Sequence, residues 1–348
     1  MKKCAVVLFN LGGPDAPSAV RPFLFNLFND RAIITLPQPL RGLVAWLIAW
    51  RRAPIARAIY GRIGGGSPLL ANTEAQAQAL ETALGDGYRV FIAMRYWRPY
   101  SRAAAAAVKE WGADEIVLLP LYPQYSTTTA GSSLTDWHRA AQAVGLAAST
   151  STVCCYPDEP GFIDTLAAGI REALSRWPEG KSPRVLLSAH GLPEKIVAAG
   201  DPYPWQVGRT AAALRASLSL PKVEILVCYQ SRVGPLAWIG PSTDAEIRRA
   251  GGDGVGVIVV PIAFVSEHSE TLVELDIEYR HLAAGVGVPR YVRVPTAGIA
   301  PAFIAGLAGL VRCARRRADA APRPADGRRL CPQRFRGCPC SVPERVSA

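Results

Sequence analysis

The chain has 348 residues, of which 49% are hydrophobic, and a formal net charge of +11 at pH 7. This length and apolar content exclude a wholly disordered protein and allow one large or two modest domains. The positive charge favours an anionic partner, such as nucleic acid, an acidic lipid surface or a small carboxylate ligand. A signal peptide is not expected, because Lys2 and Lys3 lead straight into a strand-like run.

Short apolar runs alternate with helical patterns through most of the chain. The predicted strands are 5–8, 89–93, 115–119, 150–155, 184–188, 223–227, 255–260 and 289–294. The main predicted helices are 72–84, 102–111, 161–176, 204–216 and 267–282. Continuous apolar strands separated by helices are typical of parallel sheets covered on both faces. Ligands of such sheets bind beyond the carboxyl ends of the strands.

Two patterns occur once in each half of the chain. LFNLGGP at 8–14 is echoed by LSAHGLP at 187–193, and LLPLYP at 118–123 by VVPIAF at 259–264. The repetition predicts two similar α/β halves, 1–160 and 161–315, that face each other across a cleft. Leu11 in the first half takes the place of His190 in the second, so one wall is apolar where the other offers an imidazole.

The segment 36–70, here called the lip, breaks the alternation. Trp46, Ile48 and Trp50 are followed by Arg51 and Arg52, a pattern of an amphipathic basic helix. Such a helix lies on a membrane surface, covers an apolar ligand or packs on the core. The GGGSP turn that follows lacks the lysine of a phosphate-binding loop, so nucleotide binding is poorly supported.

Glu270, Glu274 and Glu278 are spaced i, i+4, i+8, which places them in one stripe on a helix. The stripe begins beside His268 and suggests a path for cations or protons, the alternative being a solvated acidic face. His190 lies at a predicted strand end, in a turn fixed by glycine and proline. If His190 faces Glu270, the pair offers ligands for a borderline ion such as Fe²⁺. It also suits proton abstraction, because histidine titrates near neutrality.

The tail 316–348 is rich in arginine and proline and contains Cys331, Cys338 and Cys340. Thiolates at this spacing can ligate an iron–sulfur cluster or zinc.

Eight motifs together resemble the ferrochelatase family. They are LFNLGGP (8–14), RIGGGSP (62–68), MRYWRP (94–99), YPQYSTTTAGSS (122–133), SAHGLP (188–193), GDPYPWQ (200–206), CYQSRVGPLAWIGPST (228–243) and SEHSETLVELDIEY (266–279). The resemblance runs from about residue 4 to residue 310. It implies a chelatase-like fold of two Rossmann-like halves, each a four-stranded parallel sheet flanked by helices. It also implies insertion of Fe²⁺ into protoporphyrin IX to form protohaem, with the porphyrin in the cleft.

The resemblance also implies roles for single residues. His190 is expected to take pyrrole protons or to touch the metal, with Glu270 as its partner and second Fe²⁺ ligand. Glu274 and Glu278 are expected to continue the carboxylate path, and His268 with Glu267 to form the adjoining imidazole–acid pair. The residues expected to bind the porphyrin are Leu11, Arg52, Tyr60, Ser67, Arg95, Tyr96 and Trp238. Among them Arg52, Tyr60 and Ser67 match positions that hold the propionates, and Trp238 is alternatively an ordinary core tryptophan.

Some ferrochelatases carry a 2Fe–2S cluster on C-terminal cysteines and one internal cysteine. The resemblance implies such a cluster here on Cys331, Cys338 and Cys340, with Cys154 or Cys155 as the internal ligand. Because neighbours on a strand point to opposite faces, only one of these two is expected to reach the cluster. Cys155 is favoured.

The expected location is the cytoplasm, at the inner face of the cell membrane, with the lip on the lipid. Three other functions stay open: a chelatase for coproporphyrin or a cobalt tetrapyrrole, a haem carrier without catalysis, and a nucleic-acid binder suggested only by charge. Nucleic acid is not expected as a partner, because the Arg/Trp segment is one continuous amphipathic stretch. The sequence does not decide between a monomer and a homodimer.

Overall fold

The computed structural model describes residues 2–179, 181–232, 234, 236–317, 321–324 and 326–340. Its eight strands are β1 Cys4–Asn10, β2 Tyr88–Met94, β3 Glu115–Pro120, β4 Ser149–Thr152, β5 Arg184–His190, β6 Ile225–Gln230, β7 Val257–Pro261 and β8 Tyr291–Arg293. They form two four-stranded sheets with orders β2-β1-β3-β4 and β6-β5-β7-β8. All pairings are parallel. The predicted fold of two similar parallel-sheet halves is confirmed.

Helices cover both sheets. The α-helices are α1 Val20–Phe28, α2 Leu40–Gly61, α3 Leu69–Leu84, α4 Ser101–Trp111, α5 Ala130–Val144, α6 Pro160–Ser175, α7 Glu194–Ala198, α8 Tyr203–Leu218, α9 Thr243–Gly252, α10 Tyr279–Gly285 and α11 Pro301–Arg317. A 3₁₀ turn spans Pro17–Ala19 and a π-helix spans Glu270–Glu278. All seven residues of β1 and all five of β7 are buried, which explains why these strands are apolar without alternation.

The strand order sets the position of the site. In each sheet the first strand is central, and the chain moves to one side for its second strand and to the other side for its third. Parallel sheets bind ligands at such a switch point, beyond the carboxyl ends of the strands. β1 ends at Asn10 and β5 ends at His190, so the echoed turns lie at the switch point of each half.

The two halves share one hydrophobic core. Its buried residues include Val6 and Leu80 from the first half and Leu187 and Val260 from the second. Polar side chains also cross between the halves: Gln76 donates to the carbonyl of Val265 at 2.9 Å. The halves are therefore joined firmly below the cleft.

The segment predicted as the helix 267–282 differs from an α-helix. Its first part, Glu270–Glu278, is a π-helix, and the Tyr279 N–H donates to the Glu274 carbonyl, five residues back. The Leu275 carbonyl, which an α-helix would pair with that N–H, instead accepts from the Tyr291 hydroxyl at 2.5 Å. A side chain from β8 thus takes the place of a helical hydrogen bond.

Candidate active site

His190 and Glu270 meet at the carboxyl edge of the second sheet. His190 ends β5, and its Nδ1 lies 2.9 Å from Glu270 Oε2 on the first turn of the π-helix. Among the described residues no side chain bonds the other ring nitrogen, Nε2. The side chains of His190 and Glu270 are 38% and 26% exposed, so both groups are partly accessible to solvent and are not sealed in the core.

The two groups shift each other's pKa. Burial opposes the charged imidazolium, but the carboxylate of Glu270, with Glu274 behind it, outweighs burial and raises the pKa of His190. Burial likewise opposes the charged Glu270, yet His190 lowers the pKa of Glu270 well below its usual range. The Glu270 carboxylate therefore makes His190 a stronger base than a free histidine.

Glu274 lies behind Glu270 and is held by neutral donors. The Ser231 backbone N–H donates to Glu274 Oε1 at 2.8 Å, and the Ser231 hydroxyl donates to Oε2 at 2.5 Å. Gln230 Nε2 donates to Oε2 at 3.2 Å, and the Tyr279 hydroxyl donates to Oε1 at 2.9 Å. Burial first, and then the charge of Glu270, raise the pKa of Glu274.

Sequence reasoning missed Gln230 and Ser231 as site residues. Gln230 is the last residue of β6, and Ser231 follows with φ +61°, a left-handed conformation uncommon for a residue with a Cβ. The available signal was their place in the CYQSRVGP motif, at the end of a strand beside the strand that carries His190.

Of the predicted imidazole–acid pair, only His268 lies at the site. Its Nε2 lies 4.0 Å from Glu270 Oε2, and its ring packs 4.6 Å from that of Phe264. Burial lowers the pKa of His268. The Glu267 carboxylate turns away, where it accepts from Arg293 at 2.7 Å and from the Thr296 N–H at 2.9 Å. The structure therefore uses Glu267 as a structural carboxylate.

Part of the predicted porphyrin-binding set lies around the same cleft. Trp238 pairs with Pro193 through its backbone and lies over Gly191, the residue after His190. Tyr60 is buried, and the charge of Glu270 contributes to the raised pKa of Tyr60, after burial. Leu11 follows β1 directly, and Ser67 packs against Gly13 in the same turn region, its N–H bonded to the Pro14 carbonyl at 2.7 Å.

The polar groups of Arg95 and Tyr96 are bonded to Asp30. Arg95 Nη2 and the Tyr96 hydroxyl donate to Asp30 Oδ2 at 2.9 and 2.8 Å, and Ser132 donates to the same oxygen. Asp30 stands just after α1, where the chain enters the lip. The two residues therefore anchor the base of the lip, a role that the sequence pattern did not indicate.

The lip helix α2 has two apolar faces. Its small residues Ala45, Ala49 and Ala53 are buried, and α2 packs closely on α1. Large residues stand exposed on other faces: Leu40, Leu43, Trp46, Leu47, Trp50 and Ile55 are 47–65% exposed. Arg52 lies with its guanidinium 5.9 Å from the ring of Phe28. No described helix is long and apolar enough to cross a membrane.

Five cysteines form a separate cluster: Cys154, Cys155, Cys331, Cys338 and Cys340, all buried. Cys154 Sγ lies 3.3 Å from Cys155 Sγ and 3.6 Å from Cys340 Sγ. Cys154 thus contacts a tail sulfur directly, whereas Cys155 contacts Cys154, and the ligation of a cluster by only one of the two stays a prediction. β4 ends at Thr152, so neither cysteine is on a strand and both sulfurs join the cluster. Hydrogen bonds from Cys331 and Cys340 lower the pKa of Cys338.

Two surface cavities, of about 510 and 430 Å³, lie away from His190: one beside Leu220 and one beside Arg95. The site of His190 and Glu270 therefore coincides with neither cavity; the acidic stripe continues from it to Glu278, which contacts Arg62 of the lip.

Comparison with known proteins gives a consistent result. Residues 3–315 match the family model described as Ferrochelatase. A ferrochelatase of Caulobacter vibrioides is 55% identical over 347 residues, covering 97% of this chain and 98% of the relative. A ferrochelatase of Phenylobacterium zucineum is 54% identical, with 97% of this chain and 98% of the relative covered.

Solved structures agree on the fold alone. The sirohydrochlorin chelatase SirB from Bacillus subtilis subspecies spizizenii, in complex with cobalt, superposes with a TM-score of 0.53 at 14% identity. The match covers 89% of this chain and 94% of SirB. SirB from Bacillus subtilis with Fe³⁺ gives a TM-score of 0.50 at 14% identity, covering 91% and 96% of the two chains.

Proposed function

The chain belongs to the ferrochelatase family and is an enzyme that inserts Fe²⁺ into protoporphyrin to form haem, and we propose that His190 and Glu270 carry this reaction. The supporting observation is the 2.9 Å contact between His190 Nδ1 and Glu270 at the carboxyl edge of the second sheet. Insertion must remove both pyrrole N–H protons and replace the metal's water shell by nitrogen ligands. A base and a carboxylate at one point serve both needs.

His190 is the base in this proposal. Its Nδ1 is engaged by Glu270, which leaves Nε2 to face the porphyrin nitrogens. The carboxylate stabilises the imidazolium that forms when a pyrrole proton is taken, which strengthens His190 as a base. Glu270 and His268 behind it supply oxygen and nitrogen ligands as the metal loses water.

Glu274 and Glu278 extend the carboxylates from the cleft toward solvent. Glu278 is 46% exposed, whereas Glu270 is 26% exposed, so the stripe becomes wetter along the π-helix. A row of carboxylates with this gradient lowers the electrostatic cost of moving Fe²⁺ inward or protons outward. Ser231 and Gln230 hold Glu274 in this row.

The decisive experiment is anaerobic incubation of the purified protein with Fe²⁺ and protoporphyrin while porphyrin fluorescence is followed. His190→Ala is expected to abolish metal insertion while porphyrin binding, measured by fluorescence quenching or a shifted absorption band, persists. Normal turnover in His190→Ala would defeat the role given to His190. Loss of both binding and turnover is read against the circular dichroism spectrum, which reports whether the variant is folded.

The lip is proposed to cover the porphyrin and to rest on the membrane surface from the cytoplasmic side. The exposed row Leu43, Trp46, Leu47 and Trp50 is apolar and is flanked by arginines, as in helices that lie in the lipid interface. Porphyrin is a flat apolar disc with two propionates, so a helix face with apolar side chains and flanking arginines can also cover porphyrin. Arg52, Tyr60 and Ser67 are the proposed propionate side of the pocket.

The cysteine cluster is proposed to hold a 2Fe–2S group. Among the described residues no three His, Cys, Asp or Glu side chains converge on one point suited to a single ion. A 2Fe–2S group needs only two thiolates at each iron. Two sulfurs on one tetrahedral metal at ~2.3 Å stand roughly 3.8 Å apart, close to the 3.6 Å between Cys154 and Cys340.

Cys331, Cys338 and Cys340 would supply three ligands, and Cys154 or Cys155 the fourth. The group, when bound, supplies a one-electron redox centre and a covalent clamp on the tail. The Gln206 amide donates to Cys331 Sγ at 3.1 Å, so the sulfur already has an orienting partner. Serine variants of Cys154 and Cys155, compared by visible absorbance, distinguish the two candidates.

A further inference from the structure

One ion pair joins the lip to the outer end of the acidic stripe. Arg62, the first residue after α2, lies with Nη1 3.3 Å from Oε1 of Glu278, the last residue of the π-helix. The two residues come from different halves of the chain and are 216 positions apart. The contact therefore lies across the opening between the lip and the second half.

The three carboxylates of the stripe have different partners. Glu270 is paired with His190, Glu274 with the neutral donors Ser231, Gln230 and Tyr279, and Glu278 with Arg62. Within the described residues, Glu278 is thus the only carboxylate of the three that is bound by a permanent cation. A metal ion that approaches from solvent along the stripe meets the arginine-paired Glu278 before Glu274 and Glu270.

The inner end of the stripe lacks such a partner and carries a histidine. His268 is 7% exposed, its Nε2 faces Glu270 at 4.0 Å without a hydrogen bond, and its Nδ1 has no partner among the described residues. A buried imidazole with both nitrogens unbonded, aimed at a carboxylate, is a group that still lacks a ligand. At its solvent end the stripe therefore contacts Arg62. At its inner end it faces His268, whose ring nitrogens have no hydrogen-bond partner among the described residues.

We propose that Arg62 is a cation gate: its guanidinium occupies Glu278 until a divalent ion displaces it. The inference rests on the proposed role of the stripe as the Fe²⁺ path. A guanidinium and a divalent ion held at the same carboxylate repel each other, so the two cations compete for Glu278. The Arg62 and Glu278 side chains are 49% and 46% exposed, and ion pairs this wet are weak. A doubly charged ion can therefore displace Arg62, whereas a buried pair would resist displacement.

The backbone after Arg62 suits such a movement. Gly64 and Gly65 have φ of +93° and +91°, a region that residues with a Cβ avoid, and no atom lies within 4 Å of the point where a Gly64 Cβ would stand. Arg62 therefore sits between the fixed end of α2 and an uncrowded turn. Its side chain is 49% exposed, so about half of it already faces solvent.

The test is the metal dependence of Arg62→Met at low ionic strength. Its KM for Fe²⁺ is expected to fall roughly two- to fivefold, the range of a weak surface pair, with the porphyrin KM unchanged. Arg57→Met is the matched control: it also removes one positive charge from the lip, but Arg57 donates to the Pro17 carbonyl and, among the described residues, forms no ion pair. Arg62→Lys keeps the charge and is expected to resemble the wild type.

A double variant tests whether Arg62 acts through Glu278. Glu278→Gln is expected to raise the Fe²⁺ KM, and Arg62→Met is expected to add nothing to it in the same chain, because the competing carboxylate is gone. The gate is overturned if Arg62→Met matches Arg57→Met, or if its effect survives in Glu278→Gln. Equilibrium binding of Co²⁺, followed calorimetrically, gives the same comparison without turnover. A wild type that binds Co²⁺ in this pattern but inserts no iron would refute the proposed chemistry and leave the gate supported.

Discussion

Replacing Asp30 by Asn tests whether this carboxylate anchors the lip. Asp30 accepts from Arg95, Tyr96 and Ser132 through Oδ2 and from the Ala32 N–H through Oδ1. The Asp30 and Arg95 side chains are 7% and 17% exposed, so the pair is poorly screened. Asn keeps the size but removes the charge, leaving the Arg95 guanidinium without its nearest anion. We expect a loss of about 2–4 kcal/mol in the free energy of unfolding at pH 7.

The stability that Asp30 contributes should depend on pH. Burial opposes the charged carboxylate, but the hydrogen bonds of Ser132 and Ala32 and the charge of Arg95 outweigh it and lower the pKa of Asp30. A lowered folded-state pKa contributes stability that is present above the unfolded value, about 3.9, and is lost as pH falls through the folded value. The gap between wild type and Asp30→Asn should therefore be full at pH 7 and shrink below about pH 4.

Urea unfolding at several pH values measures this gap. Asp86→Asn, at an exposed position, is the control for the loss of one charge. Because Asp30 fixes the base of the lip, the porphyrin KM of Asp30→Asn should also rise. Equal unfolding free energies for the two variants at pH 7, or a gap that persists unchanged at pH 3, would show that the anchor argument is mistaken.

Three further outcomes follow from the same geometry. Glu270→Gln removes the charge that raises the pKa of His190. We therefore expect a lower kcat, and we expect the acid limb of the kcat–pH profile to move to lower pH. An acid limb that does not move would mean that another group sets the basicity of His190. Replacing Trp46 and Trp50 together by Ser should weaken sedimentation with anionic vesicles by at least about tenfold, because both rings are half exposed, and equal sedimentation would argue against the membrane role. Cys338→Ser, which removes one proposed ligand of the cysteine cluster, should abolish the visible absorbance of anaerobically purified protein, and a colour that persists would contradict the cluster proposal.

The placement of the site was predictable where it depends on short-range pattern. Strands that are apolar without alternation predict a parallel sheet, and a histidine after such a strand must lie at the carboxyl edge. The spacing of Glu270, Glu274 and Glu278 predicts neighbouring carboxylates in an α-helix, and it keeps them neighbours in the π-helix that forms.

Contacts between residues that are far apart in the sequence could not be predicted from local pattern. The bonds of Arg95 and Tyr96 to Asp30 cross 65 and 66 positions, and the bond of Glu267 to Arg293 crosses 26. In each case the residue was noted as polar and reactive, but its partner within the protein could not be predicted, and its role toward porphyrin or metal stays a prediction. The contact between Cys154 and Cys155 could not be predicted for a different reason: β4 is shorter than its apolar pattern suggests, so strand alternation did not apply.

By itself the sequence determined the two parallel-sheet halves, the family and the chemistry of the groups at the cleft, because periodicity and residue type are local properties. The direction in which each polar group points was decided only by the tertiary structure. A carboxylate or guanidinium bonds the strongest partner within reach, and that partner is brought near by folding. Thus His190 pairs with Glu270, and Glu274 accepts a hydrogen bond from Ser231. Glu278, the outermost acid of the stripe, forms an ion pair with Arg62 of the opposite half.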